Sequence, residues 1–158
     1  MSPQENSRIP ERLKRNNRPA VQEFDPHESL FQRFDKLIEN SDHLYPAQVR
    51  FPDFSVNRER FSEPEDVLLP NFFDWGIAAF NYEDIPGEFV VGNESSNDIV
   101  YDFIAVHVPE EENYSHSEIR TLVNGIYNRN KRIKNKEVKR NFRFNLGEKM
   151  IILRQPSI

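Results

Sequence analysis

Cysteine is absent from this chain of 158 residues. Its absence excludes disulfide bonds, zinc sites built on thiolates and cysteine nucleophiles. Long apolar runs are absent too, since none approaches the roughly 20 residues that cross a bilayer. The N-terminus also lacks the apolar core of a signal peptide. We therefore expect a cytoplasmic protein with no membrane partner.

Glycine is scarce, and its five residues are scattered singly. This pattern excludes the glycine-rich loops that cradle phosphates. Neither a serine nucleophile elbow nor the spacing of a zinc motif is present. The sequence therefore predicts no cofactor and no motif-based metal site, and it leaves open whether the protein is an enzyme.

Aromatic side chains are plentiful, with 13 Phe, five Tyr and one Trp. A chain of this length can bury roughly 70% of the surface that its unfolded form exposes. Residues 23–158 are therefore predicted to form a single domain. Residues 1–22 hold few large apolar side chains, and we expect a polar arm that is flexible unless a partner holds it.

Charge divides the chain into two unlike parts. Residues 1–119 contain 10 Lys and Arg and 24 Asp and Glu, a net charge of −14. Residues 120–158 contain 11 basic and two acidic residues, a net charge of +9, and the two parts together give −5. The mild overall charge thus conceals an acidic body and a basic C-terminal region.

The fold class is predicted to be α+β, with a mostly antiparallel sheet and two main helices. Asp25 and Pro26 are typical of a helix start, and the apolar residues that follow recur at helical spacing, which predicts a helix over 26–39. A run of strands without repeated βαβ units favours the antiparallel arrangement. The predicted strands lie near 75–80, 88–91, 98–108, 118–123 and 148–154.

The second helix is predicted over 134–145 in the basic region. Val138, Phe142 and Leu146 recur every four residues, which places them on one buried face. Gly147 is predicted to cap the helix, because glycine often follows the last helical residue.

Turn-forming residues dominate 40–71. A short strand is predicted at 49–51, and residues 62–65 have the pattern of a capping box that opens a brief helix. Residues 53–58 are interpreted as a turn with an arginine at its exit. Further along, residues 117–128 fit either a helix or a hairpin, and Asn124 and Gly125 favour a hairpin turn after a strand at 118–123.

Half of the histidines flank a polar loop near the charge boundary. His107 is expected to end a strand, and His116 and Glu118 follow the loop. These three are the candidate catalytic residues, because two imidazoles that titrate near neutral pH can act as general acid and base. Two histidines and a carboxylate could also hold a metal ion. The alternative is a structural loop whose histidines bind backbone groups.

Nine cations form the cluster of the basic region, interrupted only by Glu137. Three interpretations are open: a solvated helix face, pairing with the acidic body of this chain within one molecule or between subunits, and binding of nucleic acid. Tyr127, Phe142 and Phe144 could stack on exposed bases, although Phe142 fits the buried face better. The nine are Arg120, Arg129, Lys131, Arg132, Lys134, Lys136, Lys139, Arg140 and Arg143.

The sequence favours a binding or adaptor subunit of a bacterial or phage-type multi-protein assembly that uses opposed acidic and basic surfaces. Its partner would be another protein or a second copy of the chain. The alternative is a small nuclease or nucleic-acid-binding protein. In that case His107, His116 and Glu118 would form the site, and the cations of 129–143 would contact the phosphate backbone.

Overall fold

A curled, seven-stranded antiparallel sheet organises the protein. The structure is a computed structural model that describes residues 9–40, 43–92 and 97–157. In the sheet the strands follow the order β6-β7-β8-β4-β1-β5-β9, and β2 and β3 form a separate hairpin. The strands are β1 (Ser29–Phe34), β2 (Leu37–Asn40), β3 (His43–Pro46), β4 (Asp53–Arg58), β5 (Gly76–Asn81), β6 (Phe89–Val91), β7 (Ile99–His107), β8 (His116–Val123) and β9 (Ile151–Arg154).

The predicted basic helix is confirmed as α1 (Lys136–Lys149). Its buried side chains are Val138, Phe142 and Leu146, as the four-residue spacing indicates. The predicted role of Gly147 is wrong, since the helix continues past it to Lys149. A Cβ atom on Gly147 would lie 1.8 Å from Nε2 of His43, so the absence of a side chain there lets the β2–β3 hairpin approach the helix.

The predicted helix over 26–39 is wrong, and the segment forms β1 and β2 instead. Leu30 belongs to the core beneath α1, whereas its neighbour Phe31 belongs to the core on the other face of the sheet. A strand buried on both faces carries apolar residues at spacings that imitate a helix. The Asp25 carboxylate does cap the backbone, but it caps a turn by accepting a hydrogen bond from the His27 N–H at 2.8 Å.

Residues 53–58 are the interior strand β4 rather than a turn, and Arg58 at its end is fully buried. The predicted strand at 49–51 is wrong, because these residues lie in the connection between β3 and β4. The brief helix after 62 is present as a 3-10 helix, Pro64–Leu68. Its first turn is capped by Asp66, which accepts a hydrogen bond from the Glu63 N–H at 2.9 Å.

The five predicted strands are confirmed as β5, β6, β7, β8 and β9. The Asn124–Gly125 turn is also present, and both residues have positive φ. The hairpin beyond it is reduced to one antiparallel bridge between Val123 and Ile126. The broad α+β prediction thus fits, with one α-helix rather than two in the part of the chain that the structure describes.

The two faces of the sheet are covered unequally. The first face packs against α1 and carries the larger core. The second face is covered at β1 and β5 by the Pro64–Leu68 helix together with Phe72 and Trp75. Over β4 and β8 the second face has a groove, and it displays polar side chains there.

Residues 9–22 of the polar arm lie against the domain. Leu13 is 1% exposed, and its carbonyl oxygen accepts a hydrogen bond from the Tyr114 N–H at 2.7 Å. Arg12 makes a bidentate ion pair with Asp66, both contacts at 2.7 Å. The contacts that hold this part of the arm therefore come from the protein's own chain; residues 1–8 lie outside the described range.

Candidate functional site

The three candidate catalytic residues do not lie on one face of the sheet. In the β7–β8 ladder His107 pairs with Ser117, so these two side chains point to the same side. Side chains alternate along a strand, which places His116 and Glu118 on the opposite side. The predicted convergence of the three on one site is therefore not found.

His107 is a structural residue in its observed position. It is 2% exposed, and its ring stacks on Phe61. Nδ1 accepts a hydrogen bond from the Val21 N–H at 2.8 Å, which leaves Nε2 to donate to the Tyr114 carbonyl oxygen at 2.6 Å. Both nitrogens are thus occupied by backbone groups, and His107 attaches the arm to the sheet.

We expect His107 to make stability depend on pH. Burial lowers its pKa below the ordinary value of 6.5, so the unfolded chain takes up a proton at a higher pH than the folded protein does. The contribution of His107 to the free energy of unfolding is therefore fully present above its unfolded pKa. It is lost as the pH falls from there towards the folded pKa. Urea denaturation at about pH 7.5 and about pH 5 measures this loss.

The comparison for this prediction is His107→Gln, whose amide can replace both hydrogen bonds but does not titrate. The variant should lose less stability on acidification than the unmodified protein. Equal losses in the two proteins would contradict a role for His107 in the pH dependence.

Arg58, which the sequence analysis read as a turn residue, lies in the interior beside His107. Its guanidinium makes a bidentate ion pair with the buried Glu28 at 2.7 and 2.9 Å. The Phe24 ring lies 3.8 Å from its carbon Cζ. The guanidinium also donates to the carbonyl oxygens of Val21 in the arm and of Glu23, which follows the arm. The sequence of 53–58 contains no pattern that predicts a buried arginine.

His116 and Glu118 lie on the second face, and each already has partners. His116 Nδ1 donates to the Val108 carbonyl oxygen at 2.8 Å, and Nε2 accepts from the Ser55 hydroxyl at 3.1 Å. Glu118 pairs with Arg120 at 2.9 Å and with Arg129 at 3.5 Å. No group of three His, Asp or Glu residues that could hold a metal ion occurs among the residues described.

A groove of about 530 Å³ lies on the second face beside His116. Its walls come from the arm, β1, β4, the connection after β3, the segment 66–72 and the loop that joins β7 to β8. Polar groups dominate the lining, in contrast to the apolar core on the helix side. The polar lining residues include Arg33, Arg50, Ser55, Asn57, Glu110, Glu112, Asn113 and His116.

Six residues define what we call the basic surface: Lys131, Arg132, Lys134, Lys136, Lys139 and Arg140. All are exposed except Lys139, which is half-buried, and none makes an ion pair with a described carboxylate. Burial, followed by the neighbouring cations Arg143, Arg132 and Lys136, lowers the pKa of Lys139. The positive charges of the basic surface therefore repel one another.

The other three predicted cations have different environments. Arg120 and Arg129 pair with Glu118, as described above. Arg143 donates to the Val49 carbonyl oxygen at 3.1 Å and lies over the Phe51 ring. These three are engaged within the protein, whereas the basic surface is not.

Comparison of the chain with protein-family models, with curated proteins and with solved structures found no match. The described part of the chain contains no helix that is both long and apolar enough to cross a membrane. The functional argument therefore depends on the groove and the basic surface themselves.

Proposed function

We propose that this protein is a binding subunit of a multi-protein assembly, and that its basic surface docks an acidic region of a partner protein. The observation that carries the proposal is that the basic surface makes no ion pair with any carboxylate of the described residues. Uncompensated like charges steer and orient an oppositely charged partner more than they stabilise their own fold.

The location of the charges supports opposed binding surfaces. The acidic residues Glu110, Glu111 and Glu112 lie in the loop that precedes β8, and the basic segment follows the other end of that strand. Among the described residues the two sets form no ion pair with each other, so each is available to a separate partner or to a second copy of the chain.

Nucleic-acid binding is the second candidate, and one exposed ring favours it. Phe144 on α1 is 41% exposed, whereas Phe142 is buried in the core. An exposed aromatic ring near cations is a feature of surfaces that bind single strands. The nuclease mechanism has no comparable support, because His107 lies across the sheet from His116 and Glu118.

Binding to two labelled probes of equal length tests the proposal: a poly-glutamate peptide and single-stranded poly-uridine RNA. We expect the peptide to bind at low salt and to dissociate as salt is added. The triple variant Lys131→Gln/Lys136→Gln/Arg140→Gln should weaken peptide binding about tenfold, a loss that three modest surface ion pairs would produce. Fluorescence anisotropy measures both affinities.

A charge-matched control separates the basic surface from the overall charge. The variant Lys36→Gln/Arg60→Gln/Lys149→Gln removes the same number of exposed cations elsewhere and should bind the peptide normally. Equal losses in the two triple variants, or no peptide binding at low salt, would refute the proposal. Binding of RNA without binding of peptide would favour the second candidate. Light scattering at low salt detects whether the acidic surface of one copy of the chain binds the basic surface of another.

A further inference from the structure

The groove lies where two neighbouring strands separate. Strand β1 pairs with β5 over all six of its residues, and β4 pairs with β8 over five. Between β1 and β4, however, the ladder contains two pairs, Leu30 with Arg58 and Phe31 with Asn57. The β2–β3 hairpin that joins the two strands packs on α1. The groove thus occupies the gap that the shortened ladder leaves.

A buried side-chain amide at this gap has an N–H donor without an acceptor. Asn57 is 3% exposed, and among the described residues its Nδ2 has no hydrogen-bond acceptor. Its Oδ1 accepts from Asn113 Nδ2 at 2.7 Å, and Asn113 Oδ1 accepts from the Ser115 hydroxyl at 2.6 Å. This chain of hydrogen bonds orients the Asn57 amide with its N–H groups unused. Leaving a buried donor unpaired is unfavourable, so an acceptor bound there would be stabilising.

Arg33 supplies a second set of hydrogen-bond donors on the floor of the groove, beside Asn57. It lies two residues beyond Phe31, the strand partner of Asn57, and therefore on the same face of the sheet. The half-buried guanidinium stacks on Phe72 at 3.7 Å and donates one hydrogen bond, to the Val67 carbonyl oxygen at 3.2 Å. Burial lowers its pKa, and no described carboxylate lies within ion-pairing distance of it. A cation in this setting is stabilised by a bound anion.

The rim of the groove carries the opposite charge. Glu110 and Glu112 lie in the loop between β7 and β8, and both are exposed. Two deeper acids also line the groove: Asp66 is ion-paired to the arm, and Asp53 accepts a hydrogen bond from the Tyr127 hydroxyl. The part of the floor described above therefore presents hydrogen-bond donors and a cation, while the loop presents solvated carboxylates.

We propose that the groove binds a small zwitterion, whose carboxylate contacts Arg33 and Asn57 on the floor and whose ammonium group lies near Glu110 and Glu112. Arg33 offers a planar set of N–H donors that suits a carboxylate, and the Asn57 amide gains the acceptor that it lacks. A volume of about 530 Å³ is within the range of small-molecule sites. This site is independent of the basic surface and of its acidic partner.

Three chain-matched probes test the site: ε-aminocaproate, which carries both charges, caproate, which lacks the ammonium group, and hexylamine, which lacks the carboxylate. We expect ε-aminocaproate to shift the side-chain NMR signals of Asn57 and Arg33 with a Kd on the order of millimolar. Caproate should bind more weakly, and hexylamine should leave both signals in place. Equal effects of hexylamine and ε-aminocaproate would overturn the assignment of the floor. Equal affinity for caproate and ε-aminocaproate would overturn the role of the rim.

Two variants locate the binding group. Asn57→Asp keeps the acceptor for Asn113 and replaces the unused N–H groups by a negative oxygen, so it should weaken binding at least about tenfold. Arg33→Gln should have a similar effect, and it decides the question if Asn57→Asp fails to fold. The matched controls Asn145→Asp and Arg60→Gln lie outside the groove and should bind as the unmodified protein does. Unchanged affinity in Arg33→Gln would overturn the proposal.

Discussion

Arg58→Met is expected to lower the free energy of unfolding by about 3–5 kcal/mol. The substitution leaves Glu28, whose side chain is 5% exposed, as a buried carboxylate without its cation. It also removes the donors to the Val21 and Glu23 carbonyl oxygens, so residues 18–24 should become sensitive to protease. Urea denaturation measures the first effect, and limited proteolysis measures the second.

The double variant Arg58→Met/Glu28→Gln tests the physical cause. If the cost arises from an unpaired buried charge, the second substitution should recover part of the lost stability. The neighbouring Arg60→Met removes an exposed arginine and should change stability by less than about 1 kcal/mol. A single Arg58→Met variant that is as stable as Arg60→Met would contradict the importance of the pair.

Gly76→Ala is expected to destabilise the sheet by about 1–3 kcal/mol, as overpacking of a close-packed interior does. A Cβ atom at this position would lie 2.6 Å from the ring of Phe34 and 2.7 Å from the Arg154 backbone oxygen. Phe34 is fully buried, and Arg154 belongs to β9, so relief of the clash requires movement of the core or of an edge strand.

Gly87→Ala is the control for this prediction, because nothing lies within 4 Å of a Cβ atom there. It should leave the free energy of unfolding within about 0.5 kcal/mol of that of the unmodified protein. Loss of stability in Gly87→Ala but not in Gly76→Ala would show that the packing of β5 against β9 is not as close as the structure indicates.

Prediction from the sequence succeeded where one face of an element is buried. In α1 the buried residues Val138, Phe142 and Leu146 recur at the helical period, so the pattern reports the structure directly. The strands β5 and β7 were recognisable for a different reason: their runs of apolar residues are too short for a helix, although β5 is buried on both faces.

The prediction failed at β1, where both faces are buried. Leu30 and Phe31 are adjacent in sequence but face different cores. A local sequence pattern does not show that a second layer covers the other face of a strand. The closely spaced apolar residues of 26–39 were therefore interpreted as one face of a helix. The same reason explains β4, since Arg58 looks like a surface residue until its partners from distant segments are known.

The candidate sites were predictable to different degrees. The basic surface was recognisable in the sequence, because charge runs on a helix and its adjoining loop remain exposed. The groove was not, since Arg33, Asn57 and Glu110 come from three separate segments that the sheet brings together. The nearness of His107 and His116 in the chain suggested one site, but register placed the two on opposite faces.

By itself the sequence determined the α+β class, the basic helix and the separation of charge, because these depend on local periodicity and composition. Tertiary structure alone decided that β1 is a strand, that Arg58 is an interior ion pair and that His107 holds the arm. It also decided where the groove opens. Each of these depends on residues that are distant in the chain. Strand pairing and the burial of both faces of the sheet bring those residues together.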